Sequence, residues 1–490
     1  MDFSHTLTEP TYVIPYLPTY VIAMAPVSSY LLWFSNELTE FREPELRSVL
    51  SLLDVRCRWT PQSAQEPFLV VEFDSEADAC AVARRTVAVK ACVELWAAAD
   101  TEDELHRQLR RRLEDHPETV LPHLSADTYR VNVDAFSKNL TYEDKLARIE
   151  AITDVLPLTG AVRLRDSELC LQLIEHYGSD SNQAPLRPLR LYFGRWLCDG
   201  PRATITQHSL KRRAYIGNTS MDPELALIMA NMARVGPGRL VLDPFVGTGS
   251  LLVAAAHFGG YVLGADIDSA TVHARTRPSR VQERGRRRGE HESIAANLRQ
   301  YGLHSRLVDV LVADAARPDV WRRGVTVDAI VTDPPYGIRE VSQAGYCAGA
   351  LFADLLQLAA ERLTLGGRLV FWLPVARAEY AADQLPRHDC LRLVANSEQP
   401  LTSRASRRLI TMEKWRELTE AERGRPGATV HPSMDLFQER YYSPRPVVPP
   451  GRAATGAGDN ETERTLDPTG CVVEPEQLHK CNGTVEKCER

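Results

Sequence analysis

From Arg239 onward, short apolar runs recur at the spacing of strand–helix units. They are Leu240 to Asp243, Tyr261 to Ala265, Val308 to Val312, Asp328 to Thr332, Arg368 to Leu373 and Arg408 to Met412. Helical patterns lie between them, including Leu251 to Phe258 and Leu351 to Leu363. Such alternation predicts a mostly parallel sheet with right-handed crossovers, an α/β fold. Asp222 and Pro223 form a helix start, with Leu225, Ile228, Met229 and Met232 on one face behind them.

The first part of the chain alternates differently. Tyr30 to Phe34, Phe68 to Phe73, Lys90 to Trp96 and Tyr129 to Phe136 read as strands. In the last of these, Val131, Val133 and Ala135 alternate with Arg130, Asn132 and Asp134, a half-exposed pattern. Glu43 to Leu53 reads as a helix with Leu46, Val49, Leu50 and Leu53 on one face. Thr101 to Glu104 is a capping box opening a basic helix through Arg110, Arg111 and Arg112. Thr141 caps a further helix through Ile149 and Ile152.

The two ends of the chain break the pattern. Residues 11–34 carry no charge, but Pro15, Pro18 and Pro26 interrupt the run and no basic segment precedes it. A disordered leader over 1–28 is expected, and no membrane anchor. Residues 443–490 are rich in Pro, Gly and charge without apolar periodicity, and disorder is expected there too. The formal net charge of −7 means that any nucleic-acid binding needs a local basic face. Ten scattered cysteines with no CxxC pair point to reduced cytosolic thiols and give no zinc pattern. The stretch Arg275 to Glu292, with Arg284, Arg286, Arg287 and Arg288, is an insertion that touches RNA or is simply solvated.

Two stretches carry candidate chemistry. Val327 to Gly337 is an apolar strand that stops at Asp333, Pro334, Pro335 and Tyr336. Prolines cannot donate to a sheet ladder, so the strand ends there. An acceptor and a flat ring are thereby held at a strand's carboxyl end, where open α/β sheets bind ligands. That pairing suits gripping a planar base by an amino group. Earlier, Arg239 to Ser250 reads strand, Gly-rich turn, helix, with Asp243, Phe245, Gly247 and Gly249 in the turn. It is neither GxGxxG nor a P-loop, since no Lys follows Gly249.

Together the two stretches resemble the class I S-adenosylmethionine-dependent methyltransferases that act on amino nitrogens. The resemblance narrows through Tyr192 to Trp196, Lys211 to Arg213, Ile216 to Asp222, Asp243 to Gly249, Ala296 to Leu303 and Thr332 to Glu340. These segments are similar to the eukaryotic catalytic subunits of tRNA guanosine-10 N2-methyltransferase. The resemblance implies a Rossmann-like class I methyltransferase domain preceded by an α+β THUMP-like RNA-binding region. On that reading 29–188 is the N-terminal α/β and THUMP-like part, and 189–442 is the methyltransferase domain with its joining segment.

It also implies site residues. Asp243 would lie near the methionine part of S-adenosylmethionine, with Phe245, Gly247 and Gly249 around it. Asp266, with Asp268 as a close competitor, would accept the ribose hydroxyls, and Asp314 the adenine amino group. Any one of these carboxylates could instead cap a helix. Asp333 and the Pro334 carbonyl would accept from the target amine, with Pro335 stiffening the turn and Tyr336 stacking on the base. Arg195, Lys211, Arg212 and Arg213 would meet tRNA phosphates. No metal is required. A small zinc-binding activator subunit and a cytoplasmic location are implied. The rival readings are an amino methyltransferase of DNA adenine or protein glutamine, and a catalytically silent RNA-binding scaffold.

Overall fold

The computed structural model describes residues 28–59, 66–276, 289, 291–317, 320–322, 324–335, 347–422 and 427–431. The expected leader before Ser28, Tyr336, the arginines 284–288 and the expected tail lie outside the described residues. Among the described residues no helix is long and apolar enough to cross a membrane.

The N-terminal part runs β1 (Ser28–Phe34), α1 (Arg42–Leu53), β2 (Cys57–Arg58), β3 (Phe68–Phe73), α2 (Glu76–Arg85) and β4 (Val89–Ala99). It continues through α3 (Glu102–Asp115), α4 (Pro117–Leu124), β5 (Thr128–Phe136), α5 (Tyr142–Thr153), β6 (Ala161–Val162), β7 (Leu169–His176) and β8 (Arg190–Asp199). These strands form one sheet in the order β2-β3-β1-β4-β8-β7-β5-β6. β4 is central and almost wholly buried, which explains its near-continuous apolar run. Thr101 caps α3 by accepting from the Glu104 amide at 3.4 Å. The full reciprocal capping box is at α5, between Thr141 and Asp144.

One boundary differs from the sequence reading. The segment placed in the joint between domains is β8, which pairs with β4 and β7 in the middle of this sheet. It forms an antiparallel pair with the preceding strand β7 and a long-range pair with β4, and this pairing assigns it to the N-terminal part.

After α6 (Arg202–Gln207) and α7 (Pro223–Met232) comes the second sheet. Its elements are β9 (Leu240–Asp243), α8 (Ser250–His257), β10 (Tyr261–Asp266), α9 (Ser269–Val272), α10 (Ile294–Gln300), β11 (Leu307–Val312), β12 (Val327–Thr332) and α11 (Ala348–Arg362). Then follow β13 (Leu363–Ala376), β14 (Arg387–His388), β15 (Leu391–Pro400), β16 (Ala405–Lys414) and β17 (Ala428–Thr429). The strand order is β11-β10-β9-β12-β13-β16-β15-β14-β17. From β11 to β13 all pairs are parallel, and from β13 onward they are antiparallel. The order reverses between β9 and β12, so the carboxyl ends of these two strands lie side by side at a switch point.

The whole of α7 is buried, not one face only, because α1, α8 and β13 surround it. Asp222 caps it, accepting from the amides of Glu224 and Leu225. The two sheets are joined through this helix. Buried Glu45 of α1 accepts from the amides of Val87 and Ala88 and from Asn231 of α7 at 2.8, 3.0 and 2.7 Å. Arg368 of β13 donates to Ser48 and to the Met232 carbonyl. The buried carboxylate of Glu45 and the guanidinium of Arg368 thus both find partners across this joint, as a dry contact requires.

Candidate active site

β9 ends on Asp243, which is buried. The chain then turns through Pro244 to Gly249 and enters α8 at Ser250. Gly249 sits at φ +79, and a Cβ there would lie 2.7 Å from the Ile294 side chain. Only glycine satisfies both constraints without strain. Gly247, at φ +48, has open space where a Cβ would stand.

Asp243 Oδ1 accepts from the Thr332 hydroxyl at 2.6 Å and from the Phe245 amide at 3.1 Å. Thr332 is the last residue of β12 and is fully buried. The Gly-rich turn and the Asp-Pro-Pro turn are thus bonded to each other at the switch point. Burial pushes the Asp243 carboxyl up to about 7; the Thr332 hydroxyl and Phe245 amide oppose this, while Asp266 and Asp333 add to it by repulsion.

Asp266 ends β10 and bridges two turns. Its Oδ2 accepts from the Gly247 amide at 2.8 Å and its Oδ1 from the Asp268 amide at 2.9 Å. Burial raises its carboxyl against these amides. Asp268 caps α9: Oδ1 accepts from the Ala270 amide at 2.9 Å and Oδ2 from the Thr271 hydroxyl at 2.5 Å. The Thr271 bond is the main force lowering its carboxyl. Of the two competitors, then, Asp268 has the geometry of a cap and Asp266 that of a bridge to the Gly-rich turn. Asp314 is half-buried beyond β11 and accepts from the Ala316 amide at 3.0 Å.

Beyond β12, Asp333 and Pro335 are half-buried and Pro334 is buried. Asp333 Oδ2 lies 3.8 Å from Arg407 Nη1. Arg407 belongs to β16, and its guanidinium carbon stands 4.0 Å from the centre of the Trp372 ring. Sequence reasoning named neither Thr332 as the partner of Asp243 nor Arg407 as the neighbour of Asp333. Thr332 adjoins the motif and could have been found from the register of two neighbouring strand ends. Arg407 carried no local signal.

Two of the cations expected to meet RNA are engaged inside the protein. Arg195, in β8, donates to Glu94 at 2.8 Å and to Glu76 at 2.5 Å. Arg213 is buried; it donates to Ser250 Oγ at 2.9 Å and to the His208 carbonyl at 3.0 Å, holding the start of α8. Both carry structural pairing where phosphate contact was expected. Lys211 and Arg212 are exposed. Their segment is tied to α10: Gln300 donates to the Arg212 carbonyl and accepts from the Ala214 amide, and buried Asn297 makes both bonds with the Tyr215 backbone.

Comparison with known proteins adds to this geometry. Residues 28–202 match the family described as Tmrp11 THUMP N-terminal domain. Residues 211–382 match the RMKL-like methyltransferase domain. The chain is 42% identical over 447 residues to the tRNA (guanine(10)-N(2))-methyltransferase TRMT11 of Gallus gallus, covering 84% of this chain and 95% of that one. It is 30% identical over 467 residues to the protein of the same name from Dictyostelium discoideum, covering 86% and 88% respectively. Among solved structures it is similar to TrmN from Thermus thermophilus, at 19% identity and a TM-score of 0.41, covering 79% of this chain and 99% of that one. The chain therefore belongs to the TRMT11 family of tRNA (guanine(10)-N(2))-methyltransferases.

Proposed function

We propose that this protein methylates the exocyclic N2 amine of guanosine at position 10 of tRNA, with S-adenosylmethionine as donor. The observation that carries the reading is the 2.6 Å bond from Thr332 to Asp243. It fixes a cofactor-type turn and an amine-type turn against each other at one switch point, as a transfer between two bound partners requires.

The residues present fit the cofactor. Gly247 leaves open space beside the turn, and Asp243, Asp266 and Asp333 bring three carboxylates to neighbouring strand ends. Such a concentration of negative charge suits a cationic ligand. Asp243 and the Phe245–Gly249 turn would hold its methionine part, Asp266 its ribose and Asp314 its adenine. When bound, S-adenosylmethionine supplies a methyl group from its sulfonium.

The guanine amine is a poor nucleophile because its lone pair is delocalised into the ring. Asp333 and the Pro334 carbonyl accept its N–H bonds and draw the nitrogen toward tetrahedral geometry. Tyr336, from its place in the motif, stacks on the base. The gain comes from position and fixed charge. A base within folded RNA must leave its stack to reach this turn, and the THUMP-type part together with Lys211 and Arg212 holds the RNA while it does so. Asp268 caps α9, so its part in ribose binding is subordinate to that of Asp266.

The family resemblance extends the proposal to a small zinc-binding activator subunit and to a cytoplasmic site of action. The test is incubation of the chain, purified with that subunit, with labelled S-adenosylmethionine and either bulk tRNA, DNA or protein extract. Label recovered as N2-methylguanosine in tRNA is the expected result. Label in DNA adenine or protein glutamine, or none at all, would overturn the reading.

A further inference from the structure

We propose that Arg407 is a positioning residue for methyl transfer: its guanidinium orients the Asp333 carboxylate toward the target amine. The inference rests on the function proposed above.

The placement of Arg407 follows from register. Thr332 of β12 pairs with Phe371 of β13, and Phe371 with Ile410 of β16. β12 ends there, but β13 runs on to Ala376 with β16 paired beside it back to Ala405. This overhang stands past the end of β12, next to the Asp-Pro-Pro turn. Arg407 lies on it, opposite Pro374.

Three contacts hold the guanidinium. Its face lies 4.0 Å from the ring centre of buried Trp372. Its Nε donates to Gln399 Oε1, on the directly paired position of β15, at 2.7 Å. Its Nη2 is 3.9 Å from Met221 Sδ. Trp372 is itself anchored, donating from its indole nitrogen to Met229 Sδ. The side chain of Arg407 is only 15% exposed. A long flexible side chain pinned in this way acts as a fixed charge.

That charge faces Asp333. The 3.8 Å separation is an ion pair but exceeds a hydrogen bond, so the guanidinium acts on Asp333 through its charge. The guanidinium also offsets the repulsion between Asp333 and Asp243, which stand at the ends of neighbouring strands. Without it, the Asp333 carboxylate would be pushed away from Asp243 and out of line with the target nitrogen. A displacement of about 1 Å in such a group can lower a rate about a hundredfold.

The test compares Arg407→Met, which keeps the stem over Trp372 but removes the charge, with Arg407→Lys, which keeps the charge without the fork. Single-turnover methylation is measured at saturating tRNA and S-adenosylmethionine, beside the affinity of each ligand. Arg407→Met should lose about ten- to a hundredfold in the transfer rate with both affinities unchanged, and Arg407→Lys should recover part of that loss. Gln399→Ala, which loosens the fork but leaves the charge, should show a smaller loss of the same kind; it decides the matter if Arg407→Met does not fold. A Met variant at the parental rate, a loss confined to tRNA or cofactor affinity, or a Lys variant no better than Met overturns the inference. If the parent chain, purified with the activator subunit, labels no tRNA in this assay, the proposed function fails instead.

Discussion

Thr332→Val removes one hydroxyl and keeps the branched shape that suits a strand. Its consequence depends on pH, and the sign can be worked out. The Thr332 hydroxyl donates at 2.6 Å to Asp243, and both groups are buried. Burial pushes the folded Asp243 carboxyl up to about 7, whereas an unfolded Asp titrates near 3.9. Between those values the native state binds more protons than the unfolded one. Stability from this group is therefore present at low pH and falls as pH rises toward about 7. The hydroxyl favours the charged form, so its removal raises the folded value further and deepens the fall. A hydrogen bond to a charged group contributes about 1.5–3 kcal/mol and one to a neutral group about 0.5–1.5 kcal/mol. Thr332→Val should thus destabilise modestly near about pH 5.5 and roughly twice as much near about pH 8.5. Thermal unfolding of parent and variant without cofactor, at both pH values, measures the difference. A loss that does not change with pH would refute the reasoning, as would the same pH dependence in an Asp243→Asn background.

The remaining expectations concern charge and backbone. Lys211 and Arg212 changed together to Ala should weaken tRNA binding and flatten its salt dependence, since fewer counterions are released; an unchanged slope would move the phosphate contacts elsewhere. Arg213→Ala should instead lower the melting temperature, losing bonds to Ser250 and the His208 carbonyl, each worth about 1.5–3 kcal/mol as charged hydrogen bonds. A stable Arg213→Ala protein with only a binding defect would restore its reading as a phosphate contact. Gly249→Ala should cost about 1–2 kcal/mol for its left-handed backbone alone, and more for the contact with Ile294, with weaker S-adenosylmethionine binding. Equilibrium dialysis and a melting curve at parental values would show that this turn tolerates a side chain.

What the sequence disclosed and what it hid divide by range. Short-range chemistry was legible. Phe68–Phe73 and Leu240–Asp243 follow from β-branched and apolar runs, and Asp222 with Pro223 marks the start of α7 from cap chemistry alone. The parallel order near the switch point follows from strand–helix alternation. What depends on partners remote in sequence was hidden. Leu191 to Gly200 looked like a joint because β4, one of the two strands that flank it, lies about ninety residues earlier in the chain. Leu391–Pro400 escaped notice because most of its positions are exposed or half-exposed and give no clean alternation. Arg195 and Arg213 looked like phosphate ligands because nothing local shows Glu94, Glu76 or Ser250 beside them. A cluster of arginines in sequence states charge, and only tertiary pairing states where that charge goes.

The central claim is that Asp333 grips the target amine, and single-turnover methylation of tRNA by Asp333 variants tests it most directly. Asp333→Ala removes the charged acceptor, which typically costs about 3–4 kcal/mol, or roughly two to three decades in rate. Asp333→Asn keeps one carbonyl oxygen at nearly the same place and should be milder. Both should still bind S-adenosylmethionine, because Asp243, Asp266 and Asp314 lie on other strand ends. The expected order of rates is parent, then Asn, then Ala, with cofactor affinity constant across all three. An Asp333→Ala enzyme that transfers methyl groups to guanosine at near the parental rate would make Asp333 a turn residue only and contradict the mechanism.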